Sequence, residues 1–531
     1  MIKKNIGRLA VLLILSVGFY IDCRSQDFVR QWGEWDKWGD QGNGTYLNPI
    51  IPSDYSDLDC IRVGNDYYAI SSTFQFSPGM IVLHSVDLVN LEICGNAIAD
   101  LTQIGKELDY TRMNRYGLGV WAGTLRYHKD RFYIFFGTPN EGFFMTSSER
   151  PEGPWEPLTP LLSEPGWDDC TVLWDNDGKA YFVGTNFSDG YKTYLFDMSD
   201  DGKRIDRESA RLINEGNGRE ASKLIKVGEY YYLVFSEHKN GVGRYVMAKR
   251  SKQAAGPYDE EKQLALPSVE AMEPNQGGIV EGKDGKWYFL THHGSGDWSG
   301  RIVSLLPVTW IDGWPIIGKV VDGIGTMQWC GTMPFDAGSR LSIRRSDDFD
   351  STVLSPQWQW NYQPRMDMFS LVERDGWLRL KAFLPLKEDD LMKAGNTLTQ
   401  RTFRKPSNCV TVKMDIRHLA DGQKAGLCHM SAAHAAAGVV KDGSNCYFEY
   451  RSNGKVLRLN AFNADFVWLR SEWGLDGRSR FSYSLDGDSF IVLGDVYQLS
   501  WGNYRGDRVG IYCFNNKREE GYVDVDYFHY Y

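Results

Sequence analysis

The chain reads as all-β, a five-bladed β-propeller followed by a β-sandwich. Three observations predict this. Almost no segment carries a sustained helical stripe; short β-rich runs dominate, divided by turn signals such as Gly64-Asn65, Asp177-Gly178, Asp284-Gly285 and Asp486-Gly487. An internal repeat runs through the first two-thirds of the chain. Beyond Cys330 the repeat fades into strands that alternate between apolar and polar residues.

The repeat is a polar turn, an aromatic cluster and an apolar run. It occurs as Gly64-Asn-Asp-Tyr-Tyr-Ala-Ile, Asp130-Arg-Phe-Tyr-Ile-Phe, Gly178-Lys-Ala-Tyr-Phe-Val, Gly228-Glu-Tyr-Tyr-Tyr-Leu-Val and Gly285-Lys-Trp-Tyr-Phe-Leu. Taking one aromatic from each, positions 68, 133, 182, 232 and 289 are 65, 49, 50 and 57 residues apart. That spacing suits a four-stranded blade with its loops, and five copies predict five blades over residues 26–330. Residues 331–345 read as a linker. From 346 to 531, runs such as Gly376-Trp-Leu-Arg-Leu-Lys and Arg480-Phe-Ser-Tyr-Ser-Leu have the period of sheets with one buried face, which predicts a sandwich.

At the N-terminus, Lys3, Lys4 and Arg8 precede an apolar run from Leu9 to Ile21 and a small-residue exit at Cys23-Arg24-Ser25. This is the pattern of a secretory signal peptide over residues 1–25, too short to span a bilayer. The expectation is export to a periplasmic or extracellular location. Lipid attachment at Cys23 is the lesser option, because the charged Asp22 stands where a small residue is wanted. No later stretch reaches spanning length, so no membrane span is expected. The remaining eight cysteines are scattered without a C-x-x-C pair, which indicates neither a zinc site nor a disulfide scaffold. The 531 residues carry a formal charge of −10 with no long basic block, which argues against a nucleic-acid partner. The 14% aromatic content suits both all-β cores and sugar-stacking surfaces.

A propeller gathers its inner strands around one axis, so acids at equivalent inner-strand positions can converge. Asp57, Asp169 and Glu220 each lie roughly ten residues before an aromatic strand. Carboxylates within apolar strands are costly unless paired or functional. One carboxylate activating water, one carboxylic acid protonating a leaving oxygen, and a third negative charge raising the acid's pKa would together hydrolyse a glycoside. Surface acids or calcium ligands are the competing readings of the spacing.

At these residues the chain resembles glycoside hydrolase family 43, particularly its two-domain β-xylosidase/α-L-arabinofuranosidase members. The resemblance rests on Asn48-Pro-Ile-Ile-Pro-Ser-Asp-Tyr-Ser-Asp, Asp169-Cys-Thr-Val-Leu-Trp-Asp-Asn-Asp-Gly, Glu220-Ala-Ser-Lys-Leu-Ile, Gly119-Val-Trp-Ala, Asn275-Gln-Gly-Gly-Ile-Val and Gly300-Arg-Ile-Val. It implies an inverting exo-glycosidase that releases terminal α-L-arabinofuranosyl or β-D-xylosyl residues from plant cell-wall polysaccharides or oligosaccharides. In that scheme Asp57 is the general base, Glu220 the general acid and Asp169 the pKa modulator, with base and acid about 6.5–9.5 Å apart. Phe74 and Trp121 would wall the pocket, and Arg301 would contact sugar hydroxyls or Asp169. The C-terminal region resembles a concanavalin A-like sandwich, from which Tyr504, with Trp501 in reserve, would close one side of the site. No organic cofactor is implied and no metal site is assigned. Structural calcium at Asp347-Asp348-Phe-Asp350 stands level with a solvated turn, and Asp175-Asn-Asp-Gly reads as a hairpin turn. The partner is an oligosaccharide or a polysaccharide side chain; oligomeric state is not legible.

Three positions depart from the family pattern: Leu58 followed by Asp59 after the base, Gly123 in place of a proline, and Asn275 in place of a histidine. His292 or His293 could substitute for that histidine, although the plainer expectation is two loop histidines. A sugar-binding propeller without catalysis, a retaining fructan-type hydrolase and a hydrolase of another glycosidic linkage are the alternatives.

Overall fold

The computed structural model describes residues 37–216, 218–240, 242–267, 276–294, 296–335 and 341–531. The signal-peptide segment, Asn275 and residues 336–340 of the expected linker lie outside them. Among the described residues, helical structure is confined to five short 3-10 turns.

Five antiparallel four-stranded meanders make up the N-terminal region. The first blade runs Asp59–Val63, Asp66–Ser71, Gly79–Ser85 and Leu91–Ile98. The second runs Gly123–His128, Arg131–Thr138, Gly142–Ser148 and Thr159–Leu162. The third runs Trp167–Trp174, Ala180–Asn186, Lys192–Met198 and Ile205–Asn214. The fourth runs Glu220–Val227, Tyr230–Lys239, Gly243–Ser251 and Glu260–Ala265, extended by a small hairpin over Lys319–Val321 and Ile324–Thr326. The fifth runs Gly277–Glu281, Trp287–His293, Ile302–Ile311 and Trp314–Ile317. The first strands lie against one another between the first and second, second and third, third and fourth, and fifth and first blades.

The repeated aromatic motif is the second strand of each blade, and blade stacking explains its composition. Such a strand is covered on both faces, so successive residues pack into different interblade clusters. In the second blade, Phe132, Ile134 and Phe136 face the first blade, whereas Tyr133 and Phe135 join the cluster shared with the third. In the fourth, Tyr231, Leu233 and Phe235 face the third blade, and Tyr232 and Val234 face the fifth. Seven cysteines with free thiols, Cys60, Cys94, Cys170, Cys409, Cys428, Cys446 and Cys513, all lie in strands.

Beyond the blades, Cys330–Thr332 pairs with Thr45–Leu47, so the chain returns to its own start before the sandwich begins. Gly331 and Thr332, assigned by sequence to the linker, are therefore part of a sheet. The sandwich packs two large sheets face to face. Its strand Asn408–Asp415 alternates as expected, with Val410, Val412 and Met414 in the core between the sheets. One sheet ends on a strand borrowed from the propeller: Phe76–Ser77 pairs with Gln359–Asn361. The Gln363 Oε1 accepts from the Leu101 backbone N–H (2.9 Å) and the Ser77 hydroxyl (2.8 Å), and the Arg401 guanidinium donates to the Asp54 carbonyl at 2.5 Å. Propeller and sandwich thus share sheet, core and hydrogen bonds.

Asp347 and Asp348 are committed to protein partners. The Trp358 indole N–H donates to Asp347 Oδ2 at 2.9 Å, and Asp348 meets His529 at 2.6 Å. The Asp175 turn is a hairpin between the first two strands of the third blade, its carboxylate held by Lys226 and Tyr231.

Candidate active site

Each of the three acids sits at or just before the start of an inner strand, two of them where the ladder is irregular. Asp57 lies two residues before the first blade's inner strand with φ 57°. Asp169, with φ 50°, occupies a bulge between Asp168 and Cys170 in the third. Glu220 opens the fourth blade's inner strand at a register shift that places Ala221 at φ 63°. Bulges and left-handed residues re-aim side chains out of the pleat, and the three carboxyls converge on one pocket of about 310 Å³ at one end of the axis.

The carboxyls differ in environment. Arg301 grips Asp57 with two parallel bonds, Nη1 to Oδ1 at 2.7 Å and Nη2 to Oδ2 at 3.1 Å. Burial alone would raise the Asp57 pKa, but the Arg301 charge and His292 outweigh it and hold the carboxyl below its usual value. Burial pushes Glu220 up to about 7, against the pull of Arg244, whose Nη2 lies 2.7 Å from Oε1, and with the help of the negative charges of Asp169 and Asp57. Asp169 accepts from the Ala221 backbone N–H (2.7 Å) and the Gln276 amide (2.9 Å). Its pKa is nevertheless raised, first by burial and then by Asp57. One carboxyl is thereby ionised at neutral pH while another retains a proton.

Phe74 and Trp121 both line the pocket. Phe74, with φ 57°, bridges Val120, and this close approach explains Gly119: a Cβ there would stand 2.6 Å from the Phe74 carbonyl oxygen. Tyr504, from the sandwich, lines the pocket, stays 59% exposed, and packs edge-on against Trp121 at 6.2 Å between ring centroids. Trp501 does not line it.

Arg301 meets Asp57 rather than Asp169, which corrects one of the two contacts expected for it. Arg301 precedes the third strand of the fifth blade and Asp57 the first strand of the adjoining first blade, whereas Asp169 is already occupied by Ala221 and Gln276. His292 and His293 are strand residues, not loop residues, and both are buried. His292 Nδ1 accepts the Asp57 backbone N–H at 2.7 Å. The ring is neutral, its pKa lowered to about 3 by burial and then by Arg301. Asp59 is buried in the channel beneath the pocket and accepts from Arg126 (2.7 Å), Thr124 and Leu125.

Sequence reasoning missed Asp168, Thr185, Phe187, Tyr191, Arg244 and Gln276 as pocket residues. Gln276 stood within a quoted motif and Asp168 beside the modulator; Arg244, in the third strand of its blade, carried no local signal.

A family model described as glycosyl hydrolases family 43 matches residues 46–315. The chain belongs to that family. A model described as the β-xylosidase C-terminal concanavalin A-like domain matches residues 346–531. A β-xylosidase of Formosa agariphila is 32% identical, with 93% of this chain and 91% of that protein aligned. A non-reducing end α-L-arabinofuranosidase of Bacteroides ovatus is 30% identical over 64% of this chain and 65% of its own. Among solved structures, an engineered family 43 enzyme described as having both endo-xylanase and exo-arabinofuranosidase activity superposes with a TM-score of 0.81 at 26% identity, covering 92% of this chain and 99% of that one. The chain is accordingly a glycoside hydrolase of the two-domain family 43 type. No helix among the described residues is long and apolar enough to cross a membrane.

Proposed function

We propose that the protein is an inverting exo-glycosidase that removes terminal α-L-arabinofuranosyl or β-D-xylosyl residues from plant cell-wall oligosaccharides or polysaccharide side chains. Asp57 acts as general base, Glu220 as general acid and Asp169 as modulator. The observation that carries this reading is the opposed ionisation within one pocket: Asp57 held ionised by Arg301, Glu220 pushed up to about 7. A water activated by Asp57 attacks the anomeric carbon, and Glu220 gives its proton to the departing glycosidic oxygen. Asp169 supplies the nearby charge that keeps Glu220 protonated, and its bond to the Ala221 amide anchors the backbone next to the acid. The aromatic walls of Phe74, Trp121 and Tyr504 suit the apolar face of one sugar ring, and the likeness to both β-xylosidases and an arabinofuranosidase supports a pentosyl residue there.

Hydrolysis of para-nitrophenyl α-L-arabinofuranoside and β-D-xyloside tests the reading. Release from one or both should fall by roughly 10²–10⁴ in Asp57→Asn, and in Glu220→Gln with an oligosaccharide whose leaving group needs protonation. A folded wild-type protein silent on both sugars contradicts it. Export to the periplasm or beyond is likewise proposed, on the basic, apolar and small-residue order of residues 1–25; fractionation of the native host that finds the protein in the cytoplasm would contradict it.

A further inference from the structure

Asp168 stands in the same pocket as the three acids, yet neither the water activation nor the proton transfer uses it. In a regular strand, successive side chains leave by opposite faces. The bulge between Asp168 and Cys170, with Asp169 at φ 50°, cancels that alternation, and two consecutive carboxyls line one pocket.

The two oxygens of Asp168 are not equivalent. Oδ1 rests against Gly137 of the second blade, where an added Cβ would come within 2.8 Å of it. It is shielded from solvent and receives no hydrogen bond. A charged carboxylate tolerates that condition poorly, whereas a neutral acid can leave its carbonyl oxygen there at far lower cost. Burial first, then the negative charges of Asp169 and Asp57, drive this carboxyl well above the usual range, with the Asp169 backbone N–H offsetting only part. The oxygen left to carry the proton is Oδ2, on a side chain that lines the pocket. Gly137 also accepts the Trp121 backbone N–H at 3.1 Å, so the aromatic wall and the acid are anchored at one residue.

We propose that Asp168 is a specificity-determining residue whose carboxylic-acid hydroxyl donates a hydrogen bond to one ring hydroxyl of the terminal pentosyl residue. The inference rests on the exo-pentosidase reading above. It adds a donor that is satisfied only when the sugar presents a hydroxyl at that position, and a buried polar group left unpaired rejects a sugar lacking it.

The test compares wild type, Asp168→Asn and Asp168→Leu on the parent nitrophenyl pentoside and its monodeoxy analogues, with circular dichroism to verify folding. Intrinsic differences in analogue reactivity cancel in the wild-type to variant ratio. For one deoxy position, wild type and Asp168→Asn should share a penalty in kcat/KM about tenfold larger than that of Asp168→Leu. If Asp168→Leu does not fold, Asp168→Ala replaces it with the same expectation. Equal penalties in wild type and the apolar variant at every position would overturn the proposal. So would Asp168→Asn behaving like the apolar variant, since asparagine keeps a neutral donor. A wild-type enzyme inactive on the parent sugar would instead sink the pentosidase reading, which separates the two failures.

Discussion

At the scale of single residues, the acid–base assignment turns on which charge stands beside which carboxyl. Asp57 and Glu220 are both buried, and burial is the largest single influence on each, yet at Asp57 the bidentate Arg301 and its neighbours together outweigh it, whereas at Glu220 burial prevails. A general acid must be protonated, so kcat/KM should fall as pH rises through about 7, where Glu220 ionises. The base limb should lie on the acid side of an ordinary aspartate, because Asp57 binds its proton more weakly than usual. The negative charge of Asp169 raises the Glu220 pKa. Asp169→Asn should therefore move the alkaline limb to lower pH, and a pH–rate profile with an unmoved limb would contradict its role as modulator. The acids were legible in sequence because they recur at matching distances from a repeated strand. Arg301 and His292 were legible only in part and Asp168 not at all, since what each touches depends on the closure of five blades. The family resemblance placed Arg301 near the site, but not with Asp57 within its reach.

At the scale of elements, the irregular starts of the inner strands aim the carboxyls, and the buried carboxylate beneath them must be paired. Asp59 replaces the small residue expected after the base and is the counter-ion there, accepting from Arg126, Thr124 and the Leu125 amide, with Lys223 3.9 Å away. Its substitution shows how a departure from a motif can be a paired internal ion instead of a lost function. Asp59→Ala strands the Arg126 guanidinium and Lys223 in the channel and should cost about 3–5 kcal/mol of stability, measured by urea unfolding. A loss under ~1 kcal/mol would show that the pair carries little. The five repeated strands were predictable because a strand packed on both faces must be apolar and aromatic throughout. The borrowed strand Phe76–Ser77 was not, because two residues leave no period to read.

At the scale of the whole molecule, the sandwich is part of the active site. It supplies Tyr504 to the pocket rim and takes a propeller strand into its own sheet. Buried contacts from Arg401, Gln363 and Trp360 tie the two regions, so they should unfold in a single calorimetric transition. Two well-separated transitions would contradict a shared core. The sequence pointed to both domains through a change of period near Cys330, but not to their pairing, which rests on contacts between residues hundreds of positions apart. The central claim is that water, activated by Asp57, attacks opposite the departing oxygen that Glu220 protonates. Proton NMR of the first sugar released from the better pentoside tests it most directly. Initial product of inverted anomeric configuration, before mutarotation, is the predicted result; initial product that retains the substrate's configuration would contradict the account.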